Sequence, residues 1–244
     1  IYVMKYIKIY EDYLDQEEQI QNNITIKYGL KKIIDNIKKP EETYEDYFDN
    51  IAKELDVKIS KLLAFGGNGV ALELNDNRIL KITMDKAEVL NSFSLLNKRN
   101  LHIVSISNVK ILKNDNIFLG VITMSKLKNL NFNQISFINR VKNIIYYNNR
   151  NNSAIIWKIW LNKNKQKVLD ELSTYDKISI TDKNYIIDNM LLILDELNKN
   201  NIPCTDLLGN NIGINIDGSL AIFDLGVETY QNIKMFNKIP MLFV

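Results

Sequence analysis

The sequence predicts an α+β protein in which a strand-rich stretch is followed by a helical one, behind a helical leader. Three observations carry that expectation. Between Ile59 and Thr83, short apolar runs are separated by Gly66-Gly67-Asn68-Gly69 and by Asn75-Asp76-Asn77, the pattern of consecutive hairpins. Between Thr181 and Asn200, the residues Ile186, Ile187, Met190, Leu191, Leu194 and Leu197 recur at helical spacing. Ahead of the strands, Tyr44, Tyr47, Phe48, Ile51, Ala52 and Leu55 trace one face of an amphipathic helix.

The bulk properties narrow the classes. Apolar residues make up 46% and charged residues 25% of the 244, the balance of an ordinary globular protein. A net charge of +2 is too small to point to a nucleic-acid partner. The single cysteine, Cys204, excludes an intrachain disulfide and suits a reducing compartment. No apolar run approaches the ~20 residues of a membrane span, and the N-terminal residues do not read as a signal peptide. The expectation is a cytoplasmic protein with neither a membrane nor a nucleic-acid partner.

In chain order, residues 1–57 read as a helical leader, with Pro40-Glu41-Glu42 opening a helix. Its apolar stripe packs on the next domain or, alternatively, docks a protein partner. Strands follow over Ile59–Phe65, Val70–Leu74 and Arg78–Thr83. Asp85–Leu96 is a helix with Ala87, Leu90, Phe93 and Leu96 inward. Two more strands, Ile103–Leu112 and Ile117–Met124, turn at Asn114-Asp115-Asn116. His102, the only histidine, has no metal-ligand partners in sequence and reads as structural or merely exposed. Asn131–Leu172 is two helices around a polar loop at 148–152, the second carrying Trp157 and Trp160 as core residues. Thr181 caps the next helix, Asn200-Asn201 ends it, and Pro203 prevents its resumption, leaving Asp206 just past a core helix.

The chemistry concentrates between Thr205 and Gly226. Asp206, Asn211 and Asp224 are oxygen donors on either side of a short hairpin pattern, and Mg²⁺ prefers hard oxygen ligands. Upstream, Lys81 sits between apolar Leu80 and Ile82, twelve residues after Gly69. Seven of the nine glycines fall in these two loop regions, where backbone N–H groups could approach a phosphate without a side chain intervening. A Walker-type loop is excluded, because no Gly-Lys-Ser/Thr follows. Taken singly, the glycines serve a hairpin, and Asp206 and Asn211 shape a turn.

Together, Asp-x-x-x-x-Asn and an Asp-Leu-Gly eighteen residues after the first Asp resemble the catalytic and metal loops of the protein-kinase-like superfamily. The resemblance covers roughly Lys58 to Gly226. It implies a two-lobed fold: a leader (1–57), a β-rich small lobe with glycine loop and hinge (58–127), and a reduced helical large lobe (128–244). It also implies ATP and Mg²⁺ as cofactors. Asp206 would be the base, Asn211 and Asp224 the metal ligands, and Lys81 the cation on the α/β-phosphates, with Glu88 either paired to it or a surface glutamate. Gly66, Gly67 and Gly69 would lie over the phosphates, with Met124 and Leu127 at the hinge that holds the base.

There are departures from the family pattern. Ala64 stands at the first glycine, and Cys204-Thr205 stand where His-Arg commonly precedes the base. There is no Ala-Pro-Glu, and eighteen residues follow Gly226, which implies a site free of activation-segment control. Leu208-Gly209-Asn210-Asn211 also resembles the small-molecule phosphotransferases of the aminoglycoside-kinase type. The overall outline is similar to compact kinase-like proteins of bacteriophages and bacteria, which for a viral source implies the host cytoplasm. Three functions are compatible with these residues. The first is an atypical ATP/Mg²⁺-dependent kinase, Ser/Thr-type or acting on a small molecule. The second is a pseudokinase or nucleotide-binding module working through a partner. The third is a structural protein that kept the fold and lost the site.

Overall fold

A computed structural model describes residues 41, 43–65, 69–114, 117–150, 153–175, 177–204, 206–226 and 239–242. Residues 1–40 of the expected leader, the glycine-turn residues Gly66 and Gly67, and Thr205 lie outside the described residues.

Helix α1, Tyr44–Glu54, begins at a capping box in which the Thr43 hydroxyl accepts from the Asp46 N–H and the Asp46 carboxylate from the Thr43 N–H. It buries Tyr47, Phe48, Ile51 and Ala52. Tyr47, Phe48 and Ile51 share a core with Val70, Leu72, Leu74, Leu80 and Ile82. Each such side chain contributes about 1.5–3 kcal/mol relative to exposure. The stripe thus packs on the sheet that follows it.

That sheet holds β1 (Ile59–Phe65), β2 (Gly69–Leu74), β3 (Arg78–Thr83), β4 (Ile106–Asn114) and β5 (Ile117–Ser125). All five are antiparallel, in the order β1-β2-β3-β5-β4. The β2–β3 turn needs a left-handed residue and uses Asn77 (φ +64°). A short strand β9, Met241–Leu242, runs parallel to β4 at the edge, where Ile111 N–H donates to Pro240 C=O at 2.9 Å. Helix α2, Lys86–Leu95, lies across β5 with Val89 seated where a side chain on Gly120 would stand. Only glycine allows so close an approach there.

The helical body comprises α3 (Phe132–Asn149), α4 (Ala154–Glu171) and α5 (Ile180–Lys199). Trp157 is wholly buried among these helices, and Trp160 packs partly buried against the same core. A small sheet of β6 (Lys128–Asn129), β7 (Ile212–Ile214) and β8 (Leu220–Ile222) lies against them. The chain is therefore α+β with a largely antiparallel main sheet, as expected. Among the described residues no helix is long and apolar enough to cross a membrane.

Two local expectations shift. Helix α5 is capped by Ser179, whose hydroxyl accepts from Asp182 N–H, rather than by Thr181. The fourth strand starts at Ile106 and not Ile103, because Ile103 and Val104 bond instead to β8, with Val104 N–H donating to Ile222 C=O at 2.9 Å. His102 joins this tie, its Nδ1 2.9 Å from Leu220 C=O, so the histidine is structural. β8 is thereby anchored two residues before Asp224.

Candidate active site

Two segments of very different origin meet at one cavity. The first is β3 and its short connection to α2. Lys81 alternates outward from the buried Leu80 and Ile82, so its side chain leaves the core side of the sheet and faces α2. Asp85 starts the helix, its Oδ1 accepting from Ala87 N–H at 2.8 Å and Glu88 N–H at 3.1 Å. One turn in, Glu88 is buried at 2% exposure, and its Oε1 accepts from Lys81 Nζ at 2.5 Å. The short Lys81-to-Glu88 segment suffices because α2 sits down directly on Gly120.

The second segment is the loop from Asp206 to Gly226. Asp206 C=O accepts from Leu208 N–H at 2.7 Å and from the Asn211 side-chain amide at 3.1 Å, closing a tight turn through the 3₁₀ residues Gly209–Asn211. Asn139 of α3 braces this turn from below by accepting from Gly209 N–H at 2.8 Å. Phe223 N–H then donates to Asn211 C=O at 2.9 Å, which carries the chain from β8 to Asp224 beside the turn. Asp224 Oδ2 lies 3.2 Å from Lys81 Nζ. Lys81 is thus shared by two carboxylates from different parts of the chain.

The cavity at this junction measures about 950 Å³, ample for a nucleotide-sized ligand. Lys81, Glu88, Asp206 and Asp224 all line it, as do Gly69, Met124 and Leu127. Seven of the sequence-predicted residues are therefore brought together. Asn211 is in the turn but not on the cavity wall, and its side-chain nitrogen is engaged by Asp206 C=O. Pattern reasoning missed Asp85, which lines the wall and was legible only as a helix start. It also missed Glu73, on the same wall, where Lys126 Nζ approaches at 2.7 Å and Lys61 Nζ at 3.4 Å.

Electrostatics follow from the carboxylates gathered on this wall, two of which, Glu88 and Asp224, pair with Lys81. Burial alone would lower the Lys81 pKa, but Glu88 and Asp224 together raise it, so Lys81 stays a cation. Glu88 is pushed up to about 7, chiefly by burial, with the Asp224 charge adding and Lys81 opposing. The direct contact with Lys81, whose own pKa is raised, favours the ionised pair. Asp206 is pushed up to about 6 by burial first, then by the charges of Asp224 and Asp85. Burial likewise pushes the Cys204 thiol up to about 12, which leaves it inert as a nucleophile.

No family model matches the chain, and no curated protein matches it in sequence. Among solved structures, one that is similar in backbone is the kinase PK-1 of Cydia pomonella granulovirus, at 16% identity and a TM-score of 0.38. The match covers 75% of this chain and 58% of that kinase. At that level of likeness the functional reading rests on this chain's own cavity.

The donor set around Asp224 defines what cation would fit. Among the described residues, no group of three or more His, Cys, Asp or Glu side chains could hold a metal unaided. A carboxylate such as Asp224 suits Mg²⁺, which keeps water and takes its remaining ligands from substrate phosphates.

Proposed function

We propose that the chain is an ATP- and Mg²⁺-dependent phosphotransferase of the protein-kinase-like type, with the sheet and the helical body as its two lobes. The single observation that supports this most is Lys81, held between Glu88 and Asp224 on the wall of a cavity that Asp206 also lines. A partly buried lysine salt-bridged to the buried Glu88, with a second carboxylate within 3.2 Å, is costly to assemble for stability alone. It is well suited to receive a polyphosphate.

In this proposal the purine lies against Met124 and Leu127, and Gly69 contributes open backbone above the phosphates together with Gly66 and Gly67. Lys81 meets the α/β-phosphates and neutralises charge that develops during transfer. Asp224, with Asn211 on the neighbouring turn, would hold Mg²⁺, which when bound draws negative charge from the phosphate oxygens. Asp206 accepts the proton of the attacking hydroxyl. A carboxylate with a pKa of about 6 is mostly ionised at neutral pH yet more basic than an exposed aspartate, as a general base requires. The acceptor is an alcohol, on a protein or a small molecule.

A second reading is a nucleotide-binding module that works through a partner without transfer. The position of Asn211 off the cavity wall favours it, since one of the two expected metal ligands is then set back from the phosphates. The two are separated by incubating the purified chain with γ-labelled ATP, Mg²⁺ and a panel of protein and small-molecule alcohols. Label transfer that Asp206→Asn abolishes supports the enzyme. Binding of ATP with no transfer to any acceptor or to water supports the module.

A further inference from the structure

Helix α2 buries three polar side chains, Glu88, Asn91 and Ser92. Glu88 and Asn91 are one turn apart and so share a helix face. Glu88 reaches Lys81. Asn91, only 6% exposed, donates its amide to the Leu225 carbonyl at 2.7 Å, across 134 positions of sequence. The same peptide unit carries the Gly226 N–H, which lies 3.4 Å from Asp224 Oδ1. In a trans peptide the C=O and N–H point in opposite directions within one plane. Gripping the carbonyl therefore aims the N–H, and the N–H faces the carboxylate. Asp224 is held from both oxygens, Oδ2 by Lys81 and Oδ1 by the peptide that Asn91 fixes.

Gly226 completes the arrangement. A side chain there would collide with the Asp85 carboxylate, the one that caps α2. Helix and turn are thus locked at three points: Asn91 on Leu225, Asp85 against Gly226, and Glu88 to Asp224 through Lys81.

We propose that Asn91 is a positioning residue that presets the Asp224 carboxylate, so that the site is assembled before any ligand arrives. The proposal rests on the nucleotide–Mg²⁺ reading of the cavity for its consequence, though not for the latch itself. An apolar residue at position 91 would leave the Leu225 carbonyl buried without this donor and free its peptide to rotate. Asp224 would then lose the contact to Oδ1 while keeping Lys81. Affinity for ATP without metal should survive, and the Mg²⁺ dependence should not.

The test uses the full chain with Asn91→Ala and Asn91→Leu, the second filling the side-chain volume should the first fail to fold. Hydrogen exchange is followed without ligand, and ATP binding is titrated with and without MgCl₂. The expected result is at least tenfold faster exchange at the Leu225 and Gly226 amides, with the α5 amides unchanged. The Mg²⁺ midpoint for ATP binding should rise fivefold or more, while metal-free ATP affinity stays within twofold. Unchanged exchange at these amides overturns the latch. Faster exchange with an unmoved Mg²⁺ midpoint reduces Asn91 to a structural tie and overturns its positioning role. A wild-type chain that binds no ATP overturns the nucleotide function instead, and the exchange data still decide the latch.

Discussion

Helices α2 and α5 both bury polar residues, and what those residues touch separates a helix beside the cavity from one that holds the fold together. In α5, Lys183 Nζ donates to Leu172 C=O at 2.9 Å, and Asn189 accepts from Leu220 N–H at 2.9 Å while donating to Tyr185 C=O. Leu172 C=O and Leu220 N–H are backbone groups of neighbouring elements and Tyr185 C=O is α5's own, so these bonds tie α5 to its surroundings and fix packing. In α2, Glu88 meets a lysine and Asn91 meets the peptide next to Asp224. Both sets are buried and bonded. Of these, Glu88 lines the cavity and Asn91 holds the peptide beside Asp224, and an ion pair there is weak evidence for stability and better evidence for a task.

The largest effect should come from the shared lysine. Lys81→Ala leaves Glu88 buried without its counter-charge and removes the cation facing the phosphates. It should abolish nucleotide binding and destabilise the chain by about 3 kcal/mol, the low end for breaking a buried pair. Wild-type affinity for ATP in that variant would separate the pair from any function. By contrast, Met190→Ala in the α5 stripe should cost about 2–5 kcal/mol in denaturant unfolding through cavity formation, with the KM for ATP unchanged. A shifted KM there would break the division between the two helices.

Asp206 offers a test of opposite sign. Its carboxyl has a higher pKa folded than unfolded, so the ionised form is disfavoured in the native state. The cost is fully present above about pH 6 and fades as pH falls from there through the ordinary aspartate range. Asp206→Asn should therefore raise the Tm at pH 7–8, with the gain shrinking below pH 6, while transfer drops by a factor on the order of 10²–10⁴. In the wild type, transfer should fall as pH drops through about 6. A Tm lowered by Asp206→Asn would place the carboxylate among the stabilising groups and contradict its poised state.

The direct comparison of amides is finer. Asn189→Ala should cost about 1–3 kcal/mol of stability, because Leu220 N–H is buried and loses its acceptor, without moving the Mg²⁺ dependence of nucleotide binding. Smallest of all, Lys158→Ala should change stability by about 0.2–1 kcal/mol, since its ion pair with Asp195 is partly exposed. Equal Mg²⁺ responses at Asn189 and Asn91 would erase the distinction drawn here.

Much of this was legible in the sequence where a period repeats. The α5 stripe, the α1 stripe and the β1–β3 hairpins follow from side-chain spacing, and the structure places them within a residue or two. The closeness of Asp206 and Asp224 was legible as a motif spacing, and Lys81 as a lysine between two apolar residues on a strand after the glycine turn. Asn91 and Asp85 were not. Asparagine at 91 interrupts no pattern, and its partner lies 134 positions away, a distance set by tertiary packing alone. The hydrogen bonds that delay the start of β4 to Ile106 are equally non-local, since they tie Val104 to β8. The expected glycine loop at Gly66 and Gly67 lies outside the described residues.

The central claim is that this cavity binds ATP through Lys81 and, with Mg²⁺, through Asp224. Calorimetric titration of the full chain with a non-hydrolysable ATP analogue, in the presence and absence of Mg²⁺, addresses it directly. Saturable binding at one site, tightened by Mg²⁺ in the wild type but not in Asp224→Asn, is the predicted result. No saturable heat with millimolar analogue and Mg²⁺, or tightening that persists in Asp224→Asn, would contradict it.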